Sequence, residues 1–443
     1  MINKNDEIVV NIEGYNSEGQ GLARADGFVI FVPFSIKNEK VKVHIIKVTK
    51  NYAVGKIVEV IEASKQRVNP PCPYFGKCGG CALQHMTYEE TLNVKRNIVK
   101  DALVKIGGMK DLQNVDIVPS KKDYFYRNKA AFPLFIDDNG TLQVAMFKGL
   151  SHDPVYIDNC LITDKLINKV AMVFKDVANK FYLASKKHFK YLVVRSVDNK
   201  TLVTVVTTNH IKNAKVMFDA LKSGLGVDDE SLGLLECIKK NDNNVILDGE
   251  VVSLCGIKSL KCNILGINVL ISAKSFFQVN QDIMSEIYQK VIKNAENKTV
   301  IDAYSGAGLM SALLAKSAKH VYGLEIVKEA TADANEMAKA NSITILTNIN
   351  CDVAEKLPEI VDKIDNNTLL VLDPPRKGVD IKVIDAIVKS EVKEIAYISC
   401  NPATLARDLK LLGEGGYQLK EVVAYDMFPF TQHVETVAML EKS

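Results

Sequence analysis

Cys400 stands in the stretch Ile-Ser-Cys-Asn-Pro-Ala-Thr-Leu, residues 398–405, where an apolar run meets a segment with helical spacing. A cysteine at a strand end is ordinarily a buried thiol, and only its neighbours can make it a nucleophile. The chain supplies candidates. Asp302-x3-Gly306-x-Gly308 follows the strand-like run TVIDAY and opens an apolar helical stretch. Glycines in such a turn let a cofactor lie against backbone where a Cβ would collide with it. Glu325 ends the next strand-like run about 20 residues on, where a carboxylate can accept from both hydroxyls of a ribose. The third glycine of a dinucleotide fingerprint is missing, so a nucleoside cofactor without a pyrophosphate fits better than NAD. S-adenosylmethionine is the candidate. Asp352 follows a third strand-like segment, within reach of an adenine edge, and Asp373 ends a fourth, held by the stiff Pro374–Pro375 pair.

A nucleophilic cysteine beside a methyl donor suits alkylation of a poor carbon nucleophile. Uracil C5 is barely nucleophilic until a thiolate adds to C6 and turns the ring into an enolate, and a base must then remove the C5 proton. The alternating stretch MFPFTQHVETVAML carries His433 and Glu435, and spacing does not choose between them. Methylation of an exocyclic amine fits less well: Arg376 follows the prolines where such enzymes place an aromatic residue, and they need no cysteine. Cytosine C5 enzymes set their nucleophile in Pro-Cys or Thr-Cys contexts, unlike Ser-Cys-Asn-Pro.

Cys72-x5-Cys78-x2-Cys81 lies in a Gly- and Pro-rich loop, with Cys160 far downstream. Three close thiols and a distant fourth can hold zinc or an iron–sulfur cluster, and the spacing is not the Cys-x3-Cys-x2-Cys of radical enzymes. Cys237, Cys255, Cys262 and Cys351 show no such spacing and read as ordinary thiols.

These residues need elements to position them. At 443 residues and 47% hydrophobic, the chain exceeds one growing core, so two or three domains are expected. Residues 1–64 alternate apolar and polar positions in short runs broken by Gly and Asn, the pattern of a small antiparallel barrel. Residues 65–272 hold the cysteine loop, a helix opening at Thr87 and ending at Gly107–Gly108, and a mixture of strands and helices that reads as α+β. That helix could pack on the catalytic domain. Residues 273–443 alternate helix and strand, which predicts a doubly wound parallel sheet with Asp302, Glu325, Asp373 and Cys400 all at strand tips, where such sheets bind ligands. The start MINKNDEIVV has neither a basic n-region nor an apolar h-region, and no apolar run reaches bilayer length, so a cytoplasmic protein away from membranes is expected. Nine cysteines in a reducing compartment point to free thiols or metal ligands. A net charge of +3 neither demands nor excludes a nucleic-acid partner, although Lys and Arg cluster with Tyr, Phe and His in several segments.

The stretch from Glu18 to Ser64 resembles a TRAM domain, an OB-like RNA-binding barrel. SFFQVN, DAYSGAG, GLEIV, LDPPRKG, SCNPATLARD and FPFTQHVET, in that order, resemble the RNA (uracil-5-)methyltransferase family, specifically its TRAM-containing 23S ribosomal RNA branch, over essentially the whole chain. The resemblance implies an α/β fold: a Rossmann-like S-adenosylmethionine-dependent methyltransferase domain, the N-terminal barrel and a central α+β domain. It implies Cys400 as nucleophile, Glu435 as the proton-abstracting base, and Gln278, Tyr304, Glu325 and Asp373 around the methyl donor, with Asp373 also near the target base. Leu309 lies where some members have a polar residue and is not counted as a ligand. A 4Fe–4S cluster on Cys72, Cys78, Cys81 and Cys160 is implied as well. The expected partner is structured ribosomal RNA with a flipped-out uridine, acted on by a monomer. Relatives acting on transfer RNA typically lack the barrel and the four cysteines. A transfer-RNA enzyme is one alternative, and a non-catalytic RNA-binding protein stapled by a metal is another.

Overall fold

A computed structural model describes residues 2–241, 243–362, 364 and 367–442. Six strands between Glu7 and Glu62 close an N-terminal sheet. Its strand Lys40–Val48 turns Val41, Val43 and Ile45 inward at every second position, as a two-residue side-chain period requires. Glu39, fully buried, fixes the barrel's exit: it accepts from the N–H groups of Ile36 and Ser64 and pairs with Arg67 at 2.6 Å.

The helix Tyr88–Lys105 is capped by the Thr87 hydroxyl and has Glu89 and Glu90 in its first turn, where the helix dipole favours acids. One stretch of it, Val94 and Ile98, packs with Ile36 of the barrel and with Leu83 and Met86 of the cysteine loop. Another, Val99 and Leu103, enters the core of the C-terminal sheet. The helix therefore joins three parts of the molecule. Lys95, with no exposed surface, pairs with the equally buried Asp426 and donates to the Phe428 carbonyl at 2.8 Å.

The central unit is a seven-stranded sheet with helices Lys165–Phe181 and Ala214–Leu225 on one face. It adjoins the last unit through Arg195, which donates to the Ser275 carbonyl, and Asn128, which donates to the Gln278 carbonyl.

The C-terminal sheet orders its strands 346–350, 320–325, 299–303, 368–372, 394–399, 435–442, 417–425 and 116–118. The first five are parallel, and the three inner ones, 299–303, 368–372 and 394–399, are largely apolar and buried because helices cover both faces. Strand Glu435–Lys442 runs antiparallel between its neighbours. The edge strand Asp116–Val118 comes from the segment that follows the Tyr88–Lys105 helix, far upstream of the rest. Among the described residues no helix is long and apolar enough to cross a membrane.

Candidate active site

The first parallel strand ends at Ala303, and the chain then turns sharply through Tyr304 (φ +67°), Gly306 (φ +55°) and Gly308 (φ +81°) into the helix Leu309–Leu314. The two glycines differ in role. A Cβ on Gly306 would meet nothing within 4 Å, whereas one on Gly308 would lie 2.5 Å from the Cβ of Ala334. Gly308 thus permits a close helix approach. The Gly306 N–H donates to Glu325 Oε2 at 2.9 Å, and Val327 N–H to Oε1 at 2.7 Å. A carboxylate has about four lone-pair positions, so Glu325 retains acceptor capacity for a diol.

One cleft above these strand tips is lined by Gln278, Tyr304, Gly306, Asp373, Cys400 and Glu435, together with Asp302, Arg376, Phe276 and Phe428. Gly308, Glu325 and Asp352 stand outside its lining. Asp352 caps the helix Val353–Val361 by accepting from the Ala354 N–H at 2.8 Å.

Sheet register brings Cys400 and Glu435 together. The antiparallel ladder ends with Ser399 paired to Thr436, so Cys400 and Glu435 both stand just past its last rung, and both line the cleft. The Asn-Pro turn after Cys400 has its own task. Asn401 caps the helix Pro402–Glu414 through Ala403 N–H and donates from Nδ2 to the Arg376 carbonyl at 3.0 Å, which Thr404 Oγ1 also reaches. From within that helix, the buried Asp408 accepts from the N–H of Val379, farther along the Arg376 loop, and from Tyr397 Oη. The segment that carries Arg376 is thereby fixed to the helix that follows the thiol.

Burial pushes the Cys400 thiol up, Glu435 and Asp373 add to this, and the Arg376 guanidinium beside the sulfur pulls it back down. Glu435 is 5% exposed; burial pushes its carboxyl up to about 8, with Asp373 adding and Arg376 opposing. Asp302 is pushed up to about 7 by burial, against the hydrogen bond it accepts from Ser311. The carboxyl of Asp373 is raised too by surrounding protein, but it faces the open cleft, where solvent moderates the effect. Of the described residues lining the cleft, Arg376 is the one cation among Asp302, Asp373 and Glu435. A cationic sulfonium suits such a set. Arg376 went unassigned in the sequence, although it sits inside the quoted LDPPRKG.

His433 borders a different space. A groove runs between the barrel (Tyr15, Phe31), the Tyr88–Lys105 helix (Asn97, Asp101) and His433, and it reaches Cys400 and Arg376 from the other side. Cys400 and Arg376 thus form the waist between two openings: the cleft with Glu435, and the groove with His433. Burial and nearby cations hold His433 below its ordinary value, hence neutral at pH 7.

Cys72, Cys78, Cys81 and Cys160 line one common cavity with Tyr74, Phe75 and Met146. Burial pushes the Cys81 thiol up to about 12 and raises Cys72 and Cys78. The Gly80 N–H points at Cys78 Sγ at 3.4 Å. Among the described residues no three His, Cys, Asp or Glu side chains are grouped so as to hold one metal ion. Tetrahedral zinc at 2.3 Å from each sulfur would need sulfurs about 3.8 Å apart, whereas a polynuclear cluster spans a wider set.

The model of the family described as tRNA (Uracil-5-)-methyltransferase matches residues 87–443, and that of the TRAM domain matches residues 3–58. A Clostridium acetobutylicum protein called an uncharacterized RNA methyltransferase is 34% identical over 100% of this chain and 98% of its own length. One of the same description from Clostridium tetani is 35% identical over 99% and 97%. Among solved structures, the Pyrococcus abyssi tRNA (uracil-54, C5)-methyltransferase in complex with S-adenosyl-L-homocysteine superposes with a TM-score of 0.79 at 24% identity, covering 98% of this chain and 100% of that one, which shows the shared fold. With a TRAM barrel at its N-terminus and the family's model matched over residues 87–443, the chain belongs to the tRNA (uracil-5-)-methyltransferase family of S-adenosylmethionine-dependent RNA methyltransferases.

Proposed function

We propose that this enzyme methylates C5 of a uridine in 23S ribosomal RNA through a covalent adduct between Cys400 and uracil C6. The observation that carries the reading is the position of Cys400 at the waist, open to the groove on one side and to the carboxylate-lined cleft on the other. A flipped uridine entering by the groove meets the thiol before the donor side. When bound, S-adenosylmethionine supplies an electrophilic methyl group; Gln278, Tyr304, Gly306, Glu325, Asp352 and Asp373 are the residues assigned to hold it, with Gly308 shaping the turn.

Arg376 favours the thiolate, which adds to C6 and moves electron density to C5 and O4. After C5 has gained the methyl group, Glu435 takes the C5 proton, the C5–C6 double bond reforms and the Cys400 thiolate leaves. Glu435 suits this task better than His433 because it lines the cleft with Cys400 and donor-side residues.

The four cysteines are the residues to hold a 4Fe–4S cluster: their all-thiol ligand set suits a soft, polynuclear centre, which would staple the loop to the central unit. They and the motif set support the 23S branch. The barrel counts for neither target, since the Pyrococcus abyssi protein, named for a transfer-RNA position, aligns over the same span. That likeness makes transfer RNA the second reading. Mapping 5-methyluridine in both RNAs from cells with and without the gene separates the two: loss from 23S RNA is expected, and loss from transfer RNA alone would replace the first reading by the second.

A further inference from the structure

At the far end of the central sheet from the catalytic cleft lies a second groove, lined by Phe135, Phe147, Tyr191, Lys187, Lys190 and Lys240. Tyr191 is four residues along its strand from Arg195, whose guanidinium holds the Ser275 carbonyl, so the groove begins about 13 Å farther from the catalytic unit than that contact. Its chemistry differs from that of the groove at Cys400, where Glu13, Glu18 and Asp101 stand among the lysines. Among the described residues no carboxylate lines the distal groove. Lys187, Lys190 and Lys240 are exposed, and none is ion-paired among the described residues. Lys239 is used differently: it donates to the carbonyls of Asn243 and Val245 at 2.8 Å each and lies 6.0 Å from the centre of the Tyr191 ring. It holds the groove's edge against an aromatic ring. Phe135 and Phe147 meet edge to face at 6.4 Å, leaving apolar ring surface at the groove.

We propose that this groove binds an unpaired segment of the RNA substrate at a distance from the target uridine, with phosphates on Lys187, Lys190 and Lys240 and bases against Tyr191 and the two phenylalanines. The inference rests on the reading of the chain as an RNA uracil methyltransferase for its choice of RNA over another polyanion. Unpaired cations interleaved with ring faces match the alternation of phosphate and base in a single strand. The site would give the enzyme a preference for RNA that presents a second, single-stranded element alongside the target loop.

The test uses the full-length protein and a short fluorescein-labelled oligouridylate, with binding measured across a salt series. Neutralising three phosphate contacts in Lys187→Ala/Lys190→Ala/Lys240→Ala should reduce the slope of log affinity against log salt by about 2. Affinity at low salt should fall at least tenfold, and Tyr191→Leu alone should weaken binding roughly five- to hundredfold. Turnover at saturating folded RNA should be unchanged. An unaltered slope and affinity in the triple variant would overturn the proposal, as would loss of binding to phosphatidylserine vesicles with RNA binding intact. A reduced slope in an enzyme found to methylate a position other than uracil C5 would support the groove and overturn the uracil reading, so the two failures are distinguishable.

Discussion

Arg376 is the side chain with the largest consequence for how reactive Cys400 is. Burial and two carboxylates raise the thiol, and Arg376 is the group that opposes them, so Arg376→Met should slow adduct formation about tenfold or more at pH 7 and shift its pH dependence upward. Stopped-flow measurement of addition at several pH values checks this; an unshifted profile would remove Arg376 from that role. In the proposed reaction Glu435 acts later, once the sulfonium's charge is gone, and burial pushes its carboxyl up to about 8. A base works ionised, so release of the RNA from the adduct should accelerate with pH through about 8 and level off above it. Glu435→Gln should accumulate adduct, with release slowed on the order of a hundredfold or more. Release that slows from pH 6 to 8, or proceeds at the normal rate in the variant, would move the role to His433 or water. Cys400, the glycine turn, Asp302, Glu325 and Asp373 were legible as candidates because each lies at the end of a strand-like run. Arg376 was not: its guanidinium reaches the sulfur through a loop held by Asn401, Thr404 and Asp408, contacts that no local pattern reveals.

At the scale of elements, the parallel strands and the helix after Thr87 follow from apolar runs and a capping residue, and both could be read from the chain. The register of the last strand could not. A shift of one residue would turn Glu435 to the opposite face, and register is decided by neighbours distant in sequence. The glycine turn also looked uniform while its residues do different things. Gly308→Ala should cost about 2–5 kcal/mol, combining left-handed backbone strain with a Cβ forced onto Ala334. Gly306→Ala should cost only about 1–2 kcal/mol from its backbone, since its Cβ enters open space. Denaturant unfolding of both variants tests the distinction, and equal losses would contradict it.

Over the whole molecule, three units are joined by one helix and a cysteine loop. Ala82 and Leu83, directly after Cys81, donate their N–H groups to the Phe430 carbonyl, in the segment that leads to Glu435. The alternation of the barrel and the helix–strand rhythm of the C-terminal sheet announced their units, but nothing local signals that residues 116–118 add an edge strand to a sheet built almost 200 residues later. A 4Fe–4S cluster in the cysteine cavity predicts iron and acid-labile sulfide in equal amounts in protein purified without oxygen, lost in Cys81→Ser; zinc alone would contradict the cluster. The central claim, that Cys400 attacks uracil C6, is tested most directly with RNA containing 5-fluorouridine and S-adenosylmethionine. Fluorine at C5 cannot leave as a proton, so wild-type enzyme should form a denaturation-resistant complex joined at Cys400, absent in Cys400→Ala. No complex with wild type, or an equal yield from the variant, would contradict the account.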